Sequence, residues 1–140
     1  DQRWKRRLID LAEIRNGHSV LDLACGTGDL AFLAAGAGAR VAGLDITPRM
    51  VELASVAART HPAGARVGWM VGDMGALLRA HPAGLVVPPE DPPALCAAML
   101  QMAGEDRSRY APRAHELAAR FDPAKVADEW IRRVQSAPSR

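Results

Sequence analysis

Apolar and polar positions along the first half of the chain predict helices and strands in alternation. Trp4, Leu8 and Leu11 recur at i, i+4 and i+7, which predicts an amphipathic helix that ends near Gly17. Short apolar runs predict strands at 19–24, 40–45 and 65–73. Helices are predicted between them, at about 29–36 and 48–59. Strands that alternate with helices at this spacing indicate right-handed βαβ units and a parallel sheet.

The alternation stops near residues 75–83. One more strand is predicted in "GLVVPP", which begins at Gly84. Asp91 followed by proline predicts a capped helix that carries Leu95, Met99 and Met102 on one face, where we expect them to be core residues.

Two more helices are predicted, one at about 107–120 and one from Asp122, in which Val126, Trp130 and Val134 lie four residues apart. The expected fold is therefore α/β, a Rossmann-like three-layer α/β/α arrangement. Its parallel sheet is truncated, with the strand order 3-2-1-4, and its C-terminal part is helical.

Composition narrows the function classes. The chain has 140 residues and a net charge of +2, which is typical of one soluble globular domain. Basic residues form no long stripe, so we expect no nucleic-acid partner, and no apolar run reaches the length of a membrane span. Cys25 and Cys96 lie far apart without metal-ligand spacing, so we expect no metal and a cytoplasmic location. A homodimer is left open.

The segment "SVLDLACGTGDLAFLA" predicts a strand, a tight turn and a helix, an arrangement that lets a ligand approach the backbone. The dinucleotide pattern G-x-G-x-x-G is not met, because no glycine follows Gly28 at the required spacing. A phosphate-binding P-loop is excluded because no Lys-Ser/Thr pair follows.

Three acids decide between the remaining ligands. Asp22, Asp45 and Asp73 lie at the carboxyl ends of the predicted strands, where open parallel sheets bind ligands. They would repel a pyrophosphate and would suit a ligand with an ammonium group, a ribose diol and a positive sulfur. S-adenosylmethionine has all three, and the two oxygens of Asp45 match its diol.

"VLDLACGTGDLA", "VAGLDITPRMVELA" and "VGDM" together resemble the first three motifs of class I S-adenosylmethionine-dependent methyltransferases. "WKRRLIDL" with "LACGTGD" is most similar to the ubiquinone/menaquinone biosynthesis C-methyltransferases, and the resemblance covers residues 3–78. It implies methyl transfer to carbon of a small or quinone-like acceptor. It also implies that residues 24–28 wrap the methionine portion, Asp22 helps to hold its ammonium, Asp45 binds the ribose, and Asp73 with Met74 contacts adenine. The implied cofactor-binding residues are Asp22, Ala24, Cys25, Gly26, Thr27, Gly28, Asp45, Ile46, Asp73 and Met74, and no catalytic residue is assigned.

Some of these residues have structural alternatives. Asp45 could belong to a helix-entry turn, and Asp73 could be a turn aspartate. Cys25 is interpreted as a small packing residue and the four histidines as surface residues.

Residues 82–135 resemble instead the C-terminal end of group 1 glycosyltransferases of the GT-B fold, but without that family's nucleotide-sugar residues. This suggests a chimera of a half-domain at 1–78 and a tail at 79–140, packed into one domain. In a second interpretation, "VVPPEDPPALCAAM" replaces the fourth strand and following helix of a methyltransferase sheet. The alternative functions are a non-catalytic fragment that at most binds S-adenosylmethionine and, third, a glycosyltransferase remnant.

Overall fold

The computed structural model describes residues 2–104 and 107–121. Within these ranges it has three strands and six α-helices, with short 3₁₀ turns at Gly64–Arg66 and Arg107–Arg109. The strands are β1 (Ser19–Leu23), β2 (Arg40–Asp45) and β3 (Val67–Val71). The helices are α1 (Gln2–Leu11), α2 (Asp29–Gly36), α3 (Pro48–Ala58), α4 (Met74–Ala80), α5 (Pro92–Gly104) and α6 (Ala111–Arg120). The helix predicted from Asp122 lies outside the described residues.

The strands form one parallel sheet with β2 in the centre. Val20 pairs with Val41, and Val41 pairs with Val67. Parallel strands that start in register also end together, so the residues after β1, β2 and β3 meet at one edge of the sheet. The predicted parallel α/β arrangement is confirmed, and the three strands lie in the order β1-β2-β3.

Local chemistry sets several helix ends. Asp73 accepts a hydrogen bond from the Ala76 N–H (3.1 Å) at the start of α4, and Asp91 accepts one from the Ala94 N–H (2.9 Å) at the start of α5. The cap predicted at Asp91 is therefore confirmed. Helix α1 ends at Leu11, before the predicted end near Gly17, and Glu13 just beyond it has a left-handed φ of 50°.

Helices α2 and α3 cover one face of the sheet. Buried side chains of Val41, Val67 and Trp69 pack there against small and branched residues of the two helices. Alanine dominates the facing side of α2, which lets that helix lie close to the strands. Ala42 and Leu44 alternate with Val41 and are buried on the opposite face.

Nothing in the described ranges pairs with the outer edge of β1, and the fourth strand predicted at "GLVVPP" is wrong. Two consecutive prolines, Pro88 and Pro89, supply no backbone N–H for a ladder, and only a short apolar run precedes them. Helix α6 packs against β1 instead, and a cavity of about 480 Å³ lies between them. The predicted place of strand 4 next to β1 is therefore not filled by a strand.

The expected burial of one α5 face is also wrong. Leu95, Met99 and Met102 are 50%, 64% and 37% exposed. They line only a shallow apolar groove with Leu85 and Val87. Because the segment before α5 does not join the sheet, α5 has no sheet surface to cover.

Candidate functional site

The turn between β1 and α2 holds an unusual backbone. Ala24, Gly26 and Gly28 have φ values of 60°, 54° and 92°, all in the left-handed region. Glycine adopts this region without strain, whereas alanine does so at a cost of about 1 kcal/mol. This turn brings the start of α2 to the carboxyl edge of the sheet, where the first N–H groups of the helix point beyond its end.

Asp45 holds this turn in place from the end of β2. Its Oδ2 accepts a hydrogen bond from the Gly26 N–H (2.9 Å), and its Oδ1 accepts one from the Thr47 N–H (2.8 Å). The Thr47 N–H, assisted by Gly26 and Ile46, outweighs burial and holds the pKa of Asp45 below its ordinary value. The Asp45 carboxylate is buried. Its bond from the Thr47 N–H also forms the turn into α3, which is the structural alternative expected for Asp45 from the sequence.

Asp22 lies on the neighbouring strand β1, where it pairs with Gly43, and it has a buried oxygen without a hydrogen-bond donor among the described residues. This oxygen is Oδ2. Burial, together with the nearby Asp45, raises the pKa of Asp22 from 3.8 to about 6, although the Ala31 backbone N–H partly opposes the rise. A buried carboxylate oxygen without a donor is costly, and a bound cation would relieve that cost.

The turn packs on the ring of Trp69. The sequence pattern did not indicate Trp69 as a site residue. A Cβ on Gly28 would lie 2.3 Å from the Trp69 ring, and one on Gly43 would lie 2.7 Å from it. The Phe32 ring meets Trp69 edge-on, with ring centroids 5.4 Å apart. Only glycine fits above the indole at both positions. A glycine paired directly with a tryptophan on the next strand is the sequence signal for this arrangement.

The third predicted acid, Asp73, is exposed and caps α4, and its carboxylate lies 3.7 Å from the Arg79 guanidinium. Met74 is half-buried at the first position of α4. Ile46 lies directly after Asp45 and exposes 59% of its surface. The structure therefore places Asp22, Asp45 and Asp73 at the same sheet edge, with two apolar side chains beside them.

Cys25 and Thr27 complete the set of predicted site residues. Cys25 is buried in the core, its N–H donates to the Leu44 carbonyl (3.1 Å), and burial with the adjacent acids raises the pKa of its thiol to about 12. Such a thiol packs and does not act as a nucleophile. Thr27 is exposed at the turn, and His61 stacks on Phe32 (4.3 Å).

This arrangement suits a particular ligand chemistry. The unpartnered Asp22 oxygen favours a cation, and the carboxylate of Asp45 keeps acceptor positions for hydroxyl groups. The helix start can receive a single carboxylate. Within 2–104 and 107–121, no group of three or more His, Cys, Asp or Glu side chains could hold a metal ion.

Residues 20–89 match the sequence profile of a family described as a methyltransferase domain, which is half of the chain. The chain belongs to this methyltransferase domain family. The matched region contains the turn, all three acids and Trp69. It also continues past residue 78, across the boundary predicted between the half-domain and the tail. That boundary and the chimera stay predictions.

Curated relatives of this methyltransferase domain include enzymes named for quinones. A demethylmenaquinone methyltransferase from Thermus thermophilus is 46% identical over 56 residues, which are 39% of this chain and 26% of the relative. A 2-phytyl-1,4-naphtoquinone methyltransferase from Synechococcus elongatus is 37% identical over 73 residues, 50% of this chain and 31% of the relative. The chain thus spans about a quarter to a third of these relatives' lengths.

Among solved structures, an RNA methyltransferase from Salinibacter ruber in complex with S-adenosyl-L-homocysteine is 27% identical, with a TM-score of 0.50. The match covers 52% of this chain and 48% of that one. The likeness supports the Rossmann-like α/β fold of the methyltransferase domain.

Proposed function

We propose that this methyltransferase domain binds S-adenosylmethionine at the turn between β1 and α2, as part of an enzyme that methylates a carbon of a small, quinone-like acceptor. The family match and the S-adenosyl-L-homocysteine in the Salinibacter structure support the cofactor. The names of the two curated relatives support the quinone-like acceptor class. The carbon target rests on the resemblance of "WKRRLIDL" with "LACGTGD" to the C-methyltransferases.

The buried, unpartnered Oδ2 of Asp22 is the observation that carries this proposal. No described residue donates a hydrogen bond to this oxygen, and the pKa of Asp22 is raised to about 6. The ammonium of the methionine portion would supply three N–H donors and a positive charge. The site thus offers a position for a cation beside the glycine turn.

Other residues would hold the rest of the cofactor. Each Asp45 oxygen already accepts one backbone hydrogen bond and can accept another, from the ribose diol. Ile46, Asp73 and Met74 are the candidates around adenine, because they follow β2 and β3 at the same edge. Residues Ala24 to Gly28 would contact the methionine portion through the backbone.

S-adenosylmethionine supplies an electrophilic methyl group when bound. The contribution of the described residues would be positional. The turn, held by Asp45 and packed on Trp69, would fix the ligand, and Asp22 would neutralise its ammonium. The raised thiol pKa of Cys25 keeps it uncharged, so it does not compete for the methyl group.

Calorimetric titration with S-adenosylhomocysteine tests the cofactor assignment. We expect binding at pH 7.5 that weakens as the pH falls below 6, by about tenfold per pH unit, because the ammonium requires ionised Asp22. Asp22→Asn should weaken binding and abolish this pH dependence, while Asp10→Asn, on the exposed surface of α1, should bind like the wild type. Absence of heat with the wild type would contradict the assignment.

The ribose assignment has its own variant. Asp45→Ala should weaken binding by about 2 kcal/mol or more, because a charged hydrogen-bond acceptor is lost. Asp45 also fixes the turn, so the thermal midpoint of Asp45→Ala is measured by circular dichroism beside its affinity. Thr47→Ala keeps both the carboxylate and the Thr47 backbone N–H and should bind nearly like the wild type. Equal affinity of Asp45→Ala and the wild type would show that Asp45 does not bind the ribose.

Binding without methyl transfer is the second candidate, since the described sheet has three strands and no catalytic residue is assigned. Transfer of a labelled methyl group to demethylated quinones in an extract distinguishes the two. Labelling supports the enzyme, and binding without any labelled acceptor supports the non-catalytic fragment. The chain is also titrated with a nucleotide-diphosphate sugar. Only binding of that sugar would favour the third alternative, a glycosyltransferase remnant.

A further inference from the structure

Helix α1 carries an apolar strip that the described residues leave exposed. The strip consists of Trp4, Leu8 and Leu11, which are 54%, 43% and 65% exposed. These positions are separated by four and three residues and therefore lie on one side of the helix. Large apolar side chains that line up along an exposed helix are typical of a contact surface.

A second side of α1, about 110° around the helix from the strip, is fixed to the domain. Ile9 packs against the hydrophobic core, and Lys5 forms a salt bridge with Asp29. Helix α1 also contacts α2. The apolar strip therefore faces away from the domain because the other side of the helix is already used.

The polar residues of α1 are mainly basic. Arg3, Lys5, Arg6 and Arg7 oppose a single acid, Asp10, which gives the ten-residue helix a net charge of +3. Arg6 and Arg7 are exposed, and Arg7 directly precedes Leu8 of the strip. A short helix with tryptophan and leucine on one side and a cationic remainder is the composition of helices that lie in the headgroup region of anionic bilayers.

We propose that α1 docks on an anionic membrane surface, with the Trp4 strip in the headgroup region and its arginines against lipid phosphates. The positive charge of α1 favours a lipid surface over a second copy of the chain as the partner of the strip. An anionic lipid surface complements a +3 helix, whereas a second copy would bring two positively charged helices together. Of the described helices, none has the length and apolar character needed to cross a bilayer. At about 15 Å, α1 itself can lie on the surface but not span it.

Docking through α1 would orient the candidate cofactor site. Asp29, the partner of Lys5, is the first residue of α2 and follows the turn at Gly28 directly. The turn would then face a region close to the bilayer. A quinone with a phytyl chain is itself lipid-soluble, so this geometry would bring acceptor and cofactor together. That consequence rests on the proposed function, whereas membrane binding by α1 does not.

Cosedimentation of the full chain with vesicles tests the proposal. We expect binding to vesicles of equal parts phosphatidylglycerol and phosphatidylcholine, little binding to phosphatidylcholine alone, and weakening as salt rises. Leu11→Asp should reduce the apparent affinity at least tenfold. Its matched control is Val56→Asp, which places the same carboxylate at an exposed apolar position of α3 (52% exposed) and should bind like the wild type.

Tryptophan fluorescence and circular dichroism show whether the helix enters the lipid and whether the variants stay folded. Brominated lipids should quench part of the tryptophan fluorescence of the wild type, and that part should be missing in Trp4→Phe. Circular dichroism should show the same thermal midpoint for Leu11→Asp and Val56→Asp, so that lost binding is not lost folding. S-adenosylhomocysteine affinity is measured in parallel, so that a failed vesicle experiment is distinguishable from a failed cofactor site.

The proposal is overturned if the wild type does not bind anionic vesicles, or if Leu11→Asp and Val56→Asp bind them equally. It is also overturned if sedimentation velocity without lipid shows a dimer that Leu11→Asp converts to a monomer. In that case a second copy of the chain covers the strip.

Discussion

Replacing Asp22 by asparagine should make the free protein more stable at neutral pH, although it should impair ligand binding. Burial raises the pKa of Asp22 from 3.8 to about 6. In the unfolded chain the carboxyl ionises at its ordinary pKa, whereas in the folded chain it keeps its proton up to about pH 6. The folded state therefore loses stability as the pH rises between these values.

This difference in pKa corresponds to about 3 kcal/mol of unfolding free energy above pH 6. Below about pH 4 both states carry the proton, and the penalty vanishes. Asparagine has nearly the shape of a protonated aspartate and cannot ionise. We therefore expect Asp22→Asn to match the wild type at pH 4 and to exceed its free energy of unfolding by up to about 3 kcal/mol at pH 7.5.

Urea unfolding at a series of pH values between 4 and 7.5 measures this difference, with Asp10→Asn as the control for loss of an exposed carboxylate. Saturating S-adenosylhomocysteine should cancel the advantage of Asp22→Asn, because its ammonium would pair with the ionised Asp22 of the wild type. If the difference does not change with pH, or if the variant is less stable at pH 7.5, the ionised Asp22 carboxylate has a stabilising partner in the free protein and the reasoning is wrong.

Three other substitutions test the backbone of the glycine turn and the start of α5. Gly28→Ala should cost about 3 kcal/mol of unfolding free energy by urea titration, because its Cβ meets the Trp69 ring at a φ of 92°, whereas Gly36→Ala, with open space around its Cβ, should change it little. Ala24→Gly should raise the free energy of unfolding by about 0.5 to 1 kcal/mol, because glycine removes the left-handed strain, and an unchanged value would show that the turn is not strained. Asp91→Ala should cost about 1 kcal/mol and reduce the helical signal in circular dichroism, since it removes the cap of α5.

The first half of the fold was predictable because each of its signals is local. Alternating strands and helices, the proline at the start of α3 and the small residues of the turn act within a few positions of one another. The bounds of α2 and β2 follow the sequence pattern directly. The convergence of Asp22, Asp45 and Asp73 at one sheet edge also follows, because it needs only parallel strands.

The second half was less predictable because its elements depend on partners elsewhere. The Val86-Val87 run has strand propensity, but no ladder forms in the described structure, and α5 is consequently exposed along the side predicted to be core. Trp69 was missed for a similar reason. Its role depends on two glycines from different segments, which only the sheet register brings above the indole.

Asp45 joins β2 to the glycine turn and to the start of α3, while Leu44 receives the Cys25 N–H from the same turn. The shape of the turn therefore depends on the second βα unit as much as on its own glycines. A peptide of residues 19–34 transplanted into another scaffold would lose the clamp and should not hold the turn's left-handed conformations. The smallest segment that would keep this site intact runs from β1 through the first turn of α3. It would also need Trp69 of β3, on which the turn packs.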